Sequence, residues 1–575
     1  MKSYRPGMPW FMPFFLLIAA IGLPLQTGLG AGDPESQGPE LWWKHAVFYE
    51  IYPRSFKDTN GDGLGDLNGI ASKLDYLRDL GVDALWITPF YPSPQVDFGY
   101  DISDYENVDP AFGTLADFDY LLAEAHQRGM RILMDMVPNH TSDQHPWFVE
   151  SRSSRDNPKR DWYIWRDGKN GGPPNNWISV FGGPAWTFDG KTGQWYYRYF
   201  YPQQPDLNWR NPAVEKAMFD QVRFWLKRGV DGFRLDAVAN LFEDASLRDN
   251  PLLPELVAGS TTEHEEDEIY NTDLPEVHTE LQRLRKVTDS YAERILVGET
   301  WPKTMAGLLK YYGPDNNELQ LPFNFFFTKV PRLEAADFRS EVGQTEQLLG
   351  NRWTTWVLSN HDLVRAYTRY GDGRHNDQIA KILVTMLLTL RGTPFLYYGE
   401  EIGMQNNDPK TIEEVRDPVG KRKWPADKGR DGERTPMQWN SSPGAGFTTG
   451  KPWLPIPATT ATHNVASESA DPASILNFYK ALVRFRRQSP ALLDGEYQTL
   501  GNDPAVFAYL RKTAAETVVV ALNMSAQKHT LDLGQANLGP PNLKLVLSSE
   551  RSSGDPVSGK EVRLDPFQAV VLNRP

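Results

Sequence analysis

The sequence predicts an α/β protein built on a closed (β/α)8 barrel of the TIM type, with a subdomain inserted after strand three and an antiparallel β domain at the C-terminal end. Three observations predict it. Eight short apolar runs recur along the chain, amphipathic segments long enough for crossover helices lie between most of them, and anomalous polar residues collect where several runs end.

The runs, in order, are "AVFYEIYP" (46–53), "ALWITP" (84–89), "RILMDMV" (131–137), "GFRLDAV" (232–238), "RILVGE" (294–299), "LQLPFNF" (319–325), "TTWVLSNHD" (354–362) and "TPFLYYGEE" (393–401). "LADFDYLLAEAHQR" and "AVEKAMFDQVRFWLKR" exemplify the helices between them. Residues 42–138 and 207–493 are assigned to the barrel on this rhythm. Residues 139–206 break it: they are rich in Trp, Gly, Pro and Asn without helical periodicity, and an insertion at that end of a barrel sits over the active site. Beyond "ILNFYKALVRFRRQSPAL", residues 494–575 carry β-rich runs such as "TVVVALNM" separated by turn residues, which reads as the small antiparallel domain.

Composition narrows the function. The chain has 18 Trp, 24 Tyr and 28 Phe, more than packing alone tends to require and suited to stacking on sugars, although a large aromatic core is the plain alternative. A formal net charge of -14 with no basic run excludes a nucleic-acid partner. The absence of cysteine excludes disulfides and thiolate chemistry. Lys2 and Arg5 precede an apolar run from Trp10 to Leu25, and Gly28, Gly30 and Ala31 follow, so residues 1–31 are expected to be a signal peptide. The protein is then exported, periplasmic or secreted, with no stable membrane anchor after processing.

The polar residues at the strand ends carry the chemistry. "VDGFRLDAV" puts Phe233, Leu235 and Ala237 on one face of a strand and Arg234 and Asp236 on the other, and a buried ion pair costs desolvation unless the interior is a site. His140 follows strand three, Glu299 ends strand five, and His361 and Asp362 end strand seven. A carboxylate beside a guanidinium stays ionised, so Asp236 suits a nucleophile. Glu299, after "ILVG" and with no cation nearby in sequence, suits a general acid that keeps its proton. Two such groups about 5 Å apart make a retaining glycosidase. Asp362 is then a third carboxylate, binding sugar hydroxyls, with His140 and His361 as hydrogen-bond donors to the same ring.

"DMVPNH", "QPDLN", "GFRLDAV", "VGET" and "SNHD", in this order and spacing, resemble the signature regions of the α-amylase superfamily, glycoside hydrolase family thirteen. "DFGYDISDY", "FGGPAWTFD" and "RDGERTPMQW" are similar to its branch of α-glucosidases, oligo-1,6-glucosidases, trehalose synthases and sucrose isomerases. The resemblance implies Asp236 as nucleophile, Glu299 as acid/base and Asp362 as transition-state stabiliser. It also implies that Asp97 and Tyr100 grip the nonreducing glucose, that Arg434 closes over its far hydroxyls, and that Phe181 and Gln204 lie on the aglycone side. The site is thus expected to be an exo-acting pocket for an oligosaccharide or disaccharide. In related enzymes a valine directly after the nucleophile tends to accompany α-1,6 cleavage, so Ala237 favours α-1,4 bonds. "NHDLVR" departs from a frequent "NHDxPR" by having Val364 before Arg365.

"DTNGDGLGD" (58–66) opens like a calcium loop, but Gly69 stands where an EF-hand needs glutamate. With Asp58, Asn60, Asp62, Asp66 and the Leu64 carbonyl as ligands, the resemblance implies a structural Ca²⁺, or Mg²⁺, here. Two other readings share the family: a transferase or isomerase using the same covalent intermediate, and a noncatalytic membrane-tethered relative, which usually has a broken triad.

Overall fold

In the computed structural model, which describes residues 41–252, 267–534, 543–550, 557–558 and 560–574, eight parallel strands make one sheet. The expected signal segment lies outside the described residues. The strands are Phe48–Ile51, Ala84–Ile87, Arg131–Met136, Gly232–Leu235, Ile295–Gly298, Leu321–Pro322, Thr355–Val357 and Thr393–Tyr397, one inside each of the eight apolar runs. They pair in chain order from the first to the sixth, and the eighth joins the first to the seventh. Between the sixth and seventh the contact runs through side chains. Pro322 has no amide to donate, and Thr355 Oγ1 instead accepts from Asn324 N at 2.9 Å and lies 3.3 Å from the Pro322 carbonyl oxygen. Strand eight stops at Tyr397 because Gly399, at φ +83°, turns the chain into a short 3-10 segment, Glu400–Ile402.

The pleat sorts the side chains. Phe48, Ala84, Trp86, Leu133, Val297 and Phe395 pack together inside the barrel, whereas Tyr49, Ile51, Leu85, Phe233 and Leu235 pack outward with the helices. Burying a side chain of this size contributes roughly 1.5–3 kcal/mol, so these two layers drive closure. One step further along the strands the inward positions change character: Glu50 follows Phe48, Asp135 follows Leu133, and Arg234 comes level with Asp135 in the register. The barrel is apolar below and charged above.

The helices follow from their caps and apolar stripes. Leu115–Gln127 starts at a capping box in which Thr114 and Asp117 satisfy each other's amides, and it buries Phe118, Leu121, Leu122 and Ala125. Pro212–Arg228 starts at Asn211 with proline in first position, buries Met218, Val222 and Trp225, and stops at Gly229.

Between residues 139 and 206, Gln194–Tyr197 pairs antiparallel with both Trp165–Arg166 and Trp186–Asp189, over a small core of Ile164, Trp177, Trp186 and Tyr197. Part of the aromatic excess is therefore packing; Trp86, Trp177, Trp225 and Trp356 are fully buried. After residue 494, Glu496–Leu500, Val506–Lys512, Thr517–Asn523, Ala569–Arg574 and Lys544–Ser548 form a five-stranded antiparallel sheet beside a three-stranded one. Among the described residues no helix is long and apolar enough to cross a membrane.

Candidate active site

The barrel ladder sets the two central acids. Asp236 N donates to the Met136 carbonyl at 2.8 Å and Glu299 N to that of Leu235 at 2.9 Å, so each follows directly on the last residue of its strand. Ala237 then adopts φ +48°, a left-handed turn that is uncommon for a residue with a Cβ, and its amide donates to Glu299 Oε2 at 3.0 Å. Gly298 is needed for space, because a Cβ there would stand 2.2 Å from Leu319 Cδ1. Asp362 comes from the loop after strand seven, its amide held on Asn360 Oδ1 at 2.9 Å.

Arg234 is the hub, and it serves three carboxylates rather than one. Nη1 donates to Asp135 Oδ1 at 2.9 Å and to Asp236 Oδ1 at 2.6 Å, while Nη2 lies 3.1 Å from Glu299 Oε2. Two expectations are corrected by this. Glu299 does have a cation beside it, delivered from the neighbouring strand, and Arg234 alone does not keep Asp236 in its ordinary range. Burial pushes Asp236 well above that range, Arg234 opposes, and Glu299 and Asp135 add to the rise. Burial likewise lifts Asp135, against Arg234, to about 6. One guanidinium among three acids leaves surplus negative charge, which a proton shared within the cluster relieves.

Asp362 behaves oppositely. Burial again works to raise it, but Arg430 Nη1 at 3.0 Å and Arg434 Nη2 at 2.7 Å, both on Oδ1, help hold it well below the usual carboxylate range. His361 Nε2 is 3.3 Å from its other oxygen, yet burial pulls that imidazole down to about 3, so at neutral pH the guanidiniums carry the effect. A hydrogen-bonded chain fixes the imidazole. Tyr100 Oη donates to Asp135 at 3.0 Å and sits 2.8 Å from His361 Nε2, which must therefore carry the proton between them. His361 Nδ1 then faces Glu50 Oε1 at 2.6 Å, and burial pushes Glu50 well above its usual range.

Asp236, Glu299 and Asp362 line one cavity of about 1080 Å³, together with Asp97, Tyr100 and His140. Phe181 and Ala237 line it too. Tyr100 lies parallel to His361, ring centres 5.4 Å apart. His140, fully buried, is 3.1 Å from the Tyr100 carbonyl and from Gln204. Arg234 and His361 do not line the cavity themselves but hold residues that do, Asp236 and Tyr100.

Two expected sugar contacts are displaced. Arg434 does not line the cavity: its Nε donates to the His361 carbonyl at 2.7 Å, so it braces Asp362 from behind. The guanidinium in the cavity is Arg430, four residues earlier, which reaches Asp97 at 2.7 Å, Asp417 at 2.6 Å and Asp362. Gln204 is wholly buried and supports Asp97 at 3.3 Å instead of facing an aglycone. Sequence reasoning also passed over Trp301, whose indole donates to Glu299 Oε1 at 3.0 Å, and Asp135; both sit in motifs it had already quoted or directly beside them. Arg365 is buried away from the cavity, under the rings of Tyr397 and Tyr398, and donates to the Tyr398 carbonyl at 2.7 Å.

The 58–66 loop is oxygen-rich, as a hard cation requires, but its oxygens are spent locally. Asp58 accepts from the amides of Asn60, Gly61 and Gly63 and from Thr448; Asp66 accepts from Thr59 and caps a helix through Gly69 N. Asn60 and Asp62 accept from the Asp62 and Leu64 amides, respectively, so Leu64 contributes its N–H to the loop. Among the described residues, no three acidic or histidine side chains converge as a metal site. As arranged, the loop is an array of side-chain-to-backbone turns.

Comparison with known proteins places the fold among relatives. The family model described as "Alpha amylase, catalytic domain" matches residues 50–495. A probable alpha-glucosidase of Rhizobium meliloti is 44% identical over 87% of this chain and 92% of its own. An oligo-1,6-glucosidase of Parageobacillus thermoglucosidasius is 40% identical over 92% of this chain and 98% of its own. The crystal structure of an alpha-glucosyl transfer enzyme superposes with a TM-score of 0.86 at 42% identity, covering 93% of this chain and 99% of that one.

Proposed function

The chain belongs to the α-amylase family, and from that premise we propose that it is an exo-acting, retaining α-glucosidase releasing terminal nonreducing glucose, above all α-1,4-linked, from maltose-like oligosaccharides or sucrose. It is a glycoside hydrolase, the class its curated relatives name. The observation that carries the finer reading is the single guanidinium of Arg234 gripping both Asp236 and Glu299 on the floor of a cavity that Asp362 shares. Acids bridged by one fork are compatible with the spacing of about 5 Å of a retaining pair.

The steps follow from which oxygens are free. Asp236 Oδ1 is tied to Arg234, and in the ionised form of the side chain Oδ2, with no protein partner among the described residues, attacks the anomeric carbon. Glu299 Oε1, beside the half-exposed Trp301, gives its proton to the departing glycosidic oxygen. The glucosyl-Asp236 ester is then cleaved by water that returns its proton to Glu299. Asp362, held well below the usual carboxylate range, binds ring hydroxyls and stabilises the oxocarbenium-like transition state. The Arg430 ties to Asp97, Asp362 and Asp417 support a pocket that ends behind one sugar, hence exo action.

Transfer to a second sugar would use the same ester, so product analysis is the test. On maltose, glucose is expected as the dominant product, with slower release from isomaltose; accumulation of trehalose or of a rearranged disaccharide from sucrose would make the enzyme a transferase or isomerase. Export through the 1–31 segment belongs to the same proposal. So does Ca²⁺ in the 58–66 loop, supported by its oxygen chemistry and opposed by the hydrogen bonds on Asp58 and Asp66. A Tm that rises with millimolar Ca²⁺ after EDTA treatment is the expected result if the ion is structural, and an unchanged Tm removes it.

A further inference from the structure

A second cavity, of about 550 Å³, opens beside the substrate cavity and shares no lining residue with it. Four of its lining side chains are cationic, Arg54, Arg416, Lys421 and Lys451, on a chain whose net charge is -14. None of the four has a carboxylate within ion-pair distance among the described residues; Asp109 and Asp62 act on Arg54 only from farther off. Arg54 is deeply placed and poorly served. Among the described residues its one acceptor is Gln95 Oε1 at 2.8 Å, and its Nε is buried with no partner there.

The walls are fixed. Arg54 lies over the rings of Phe98 and Trp453, at 5.5 and 5.3 Å, and Trp453 is pinned by its indole on Ser55 Oγ at 3.0 Å and its amide on the Gly63 carbonyl at 3.2 Å. The opposite turn holds two non-glycine residues in left-handed conformation, Gln95 at φ +64° and Phe98 at φ +46°. Such strain, about 1–3 kcal/mol per residue, tends to be kept at ligand clamps and switch regions.

We infer that this pocket is a second binding site, for a phosphate group, free or carried on a sugar, with the cations taking the anion and Trp453 and Phe98 facing any ring attached to it. Arginine and lysine in convergence are what phosphate recognition uses, and the aromatic walls offer the apolar face that a sugar ring stacks on. The inference does not depend on which glycosidic bond the enzyme cleaves.

Isothermal titration of the whole protein at constant ionic strength, with inorganic phosphate and with glucose 6-phosphate, tests it against the variant Lys421→Ala/Lys451→Ala. Both lysines are exposed, so the variant is expected to fold, and neither belongs to the catalytic machinery. Saturable binding of at least one probe to the unaltered protein, weakened about tenfold or more in the variant, is the expected result. Tighter binding of glucose 6-phosphate than of phosphate assigns the site to a sugar phosphate, and equal affinities assign it to the free anion. Absence of saturable binding, or equal binding by the two proteins, overturns the inference.

Discussion

Asp236→Asn lowers kcat on maltose by at least about 10⁴-fold, a barrier increase of about 5 kcal/mol at 1.36 kcal/mol per factor of ten. The size of the effect follows from what the amide cannot do. Asparagine keeps the shape of the side chain, and its carbonyl oxygen can still accept from Arg234 Nη1, where Asp236 Oδ1 now stands at 2.6 Å. At the position of Oδ2, however, it presents an NH₂ that cannot form the glucosyl ester. The fold should not suffer, because the substitution removes one of three acids crowded on one guanidinium. The expected variant therefore has an unchanged or raised Tm, nearly unchanged substrate binding, and almost no glucose release. Turnover at full speed would take Asp236 out of the chemistry altogether.

The contrast between what the chain announces and what only its packing decides is clearest around Arg234. The eight strands were legible because each is an apolar run bounded by turns, and Asp236, Glu299 and Asp362 were legible because a charged residue at the end of such a run is out of place. The cation beside Glu299 was not legible. It comes from the adjacent strand, where the register sets Arg234 against Val297, two residues before Glu299, and linear distance hides that. "RDGERTPMQW" holds both Arg434 and, just before it, Arg430; which of the two faces the cavity depends on the anchoring of Arg430 by Asp417 and Asp97, residues from two other loops. The 58–66 loop is ambiguous for a different reason. Asp, Asn and Gly at alternate positions serve a cation cage and a set of side-chain-to-backbone turns equally well. The left-handed Gly61 and Gly63, at φ +83° and +92°, lie in a turn whose amides point at Asp58.

Arg234→Met should cost roughly 3–5 kcal/mol of folding stability near neutral pH, the usual penalty for removing one partner of a buried charge pair, and the loss should depend on pH in a definite direction. Methionine fills much of the same volume, so the cost is electrostatic more than steric. Asp135 is fully buried and its carboxyl is lifted to about 6 even with the guanidinium present; Asp236 is lifted well above its usual range beside it. Without Arg234 both rise further, because burial, and each carboxylate's repulsion of the other, go unopposed. A carboxyl whose folded pKa lies above its unfolded value, near 4, contributes stability that is fully present below that unfolded value and is lost as pH rises through the folded one. The variant's deficit in Tm against the unaltered protein should accordingly be small at about pH 4.5, close to the unfolded value, where holding the folded acids neutral costs little, and larger at about pH 8. Thermal unfolding at the two pH values measures it. An equal deficit at both would mean that Arg234 stabilises the fold by filling space, and that the three acids around it do not depend on its charge.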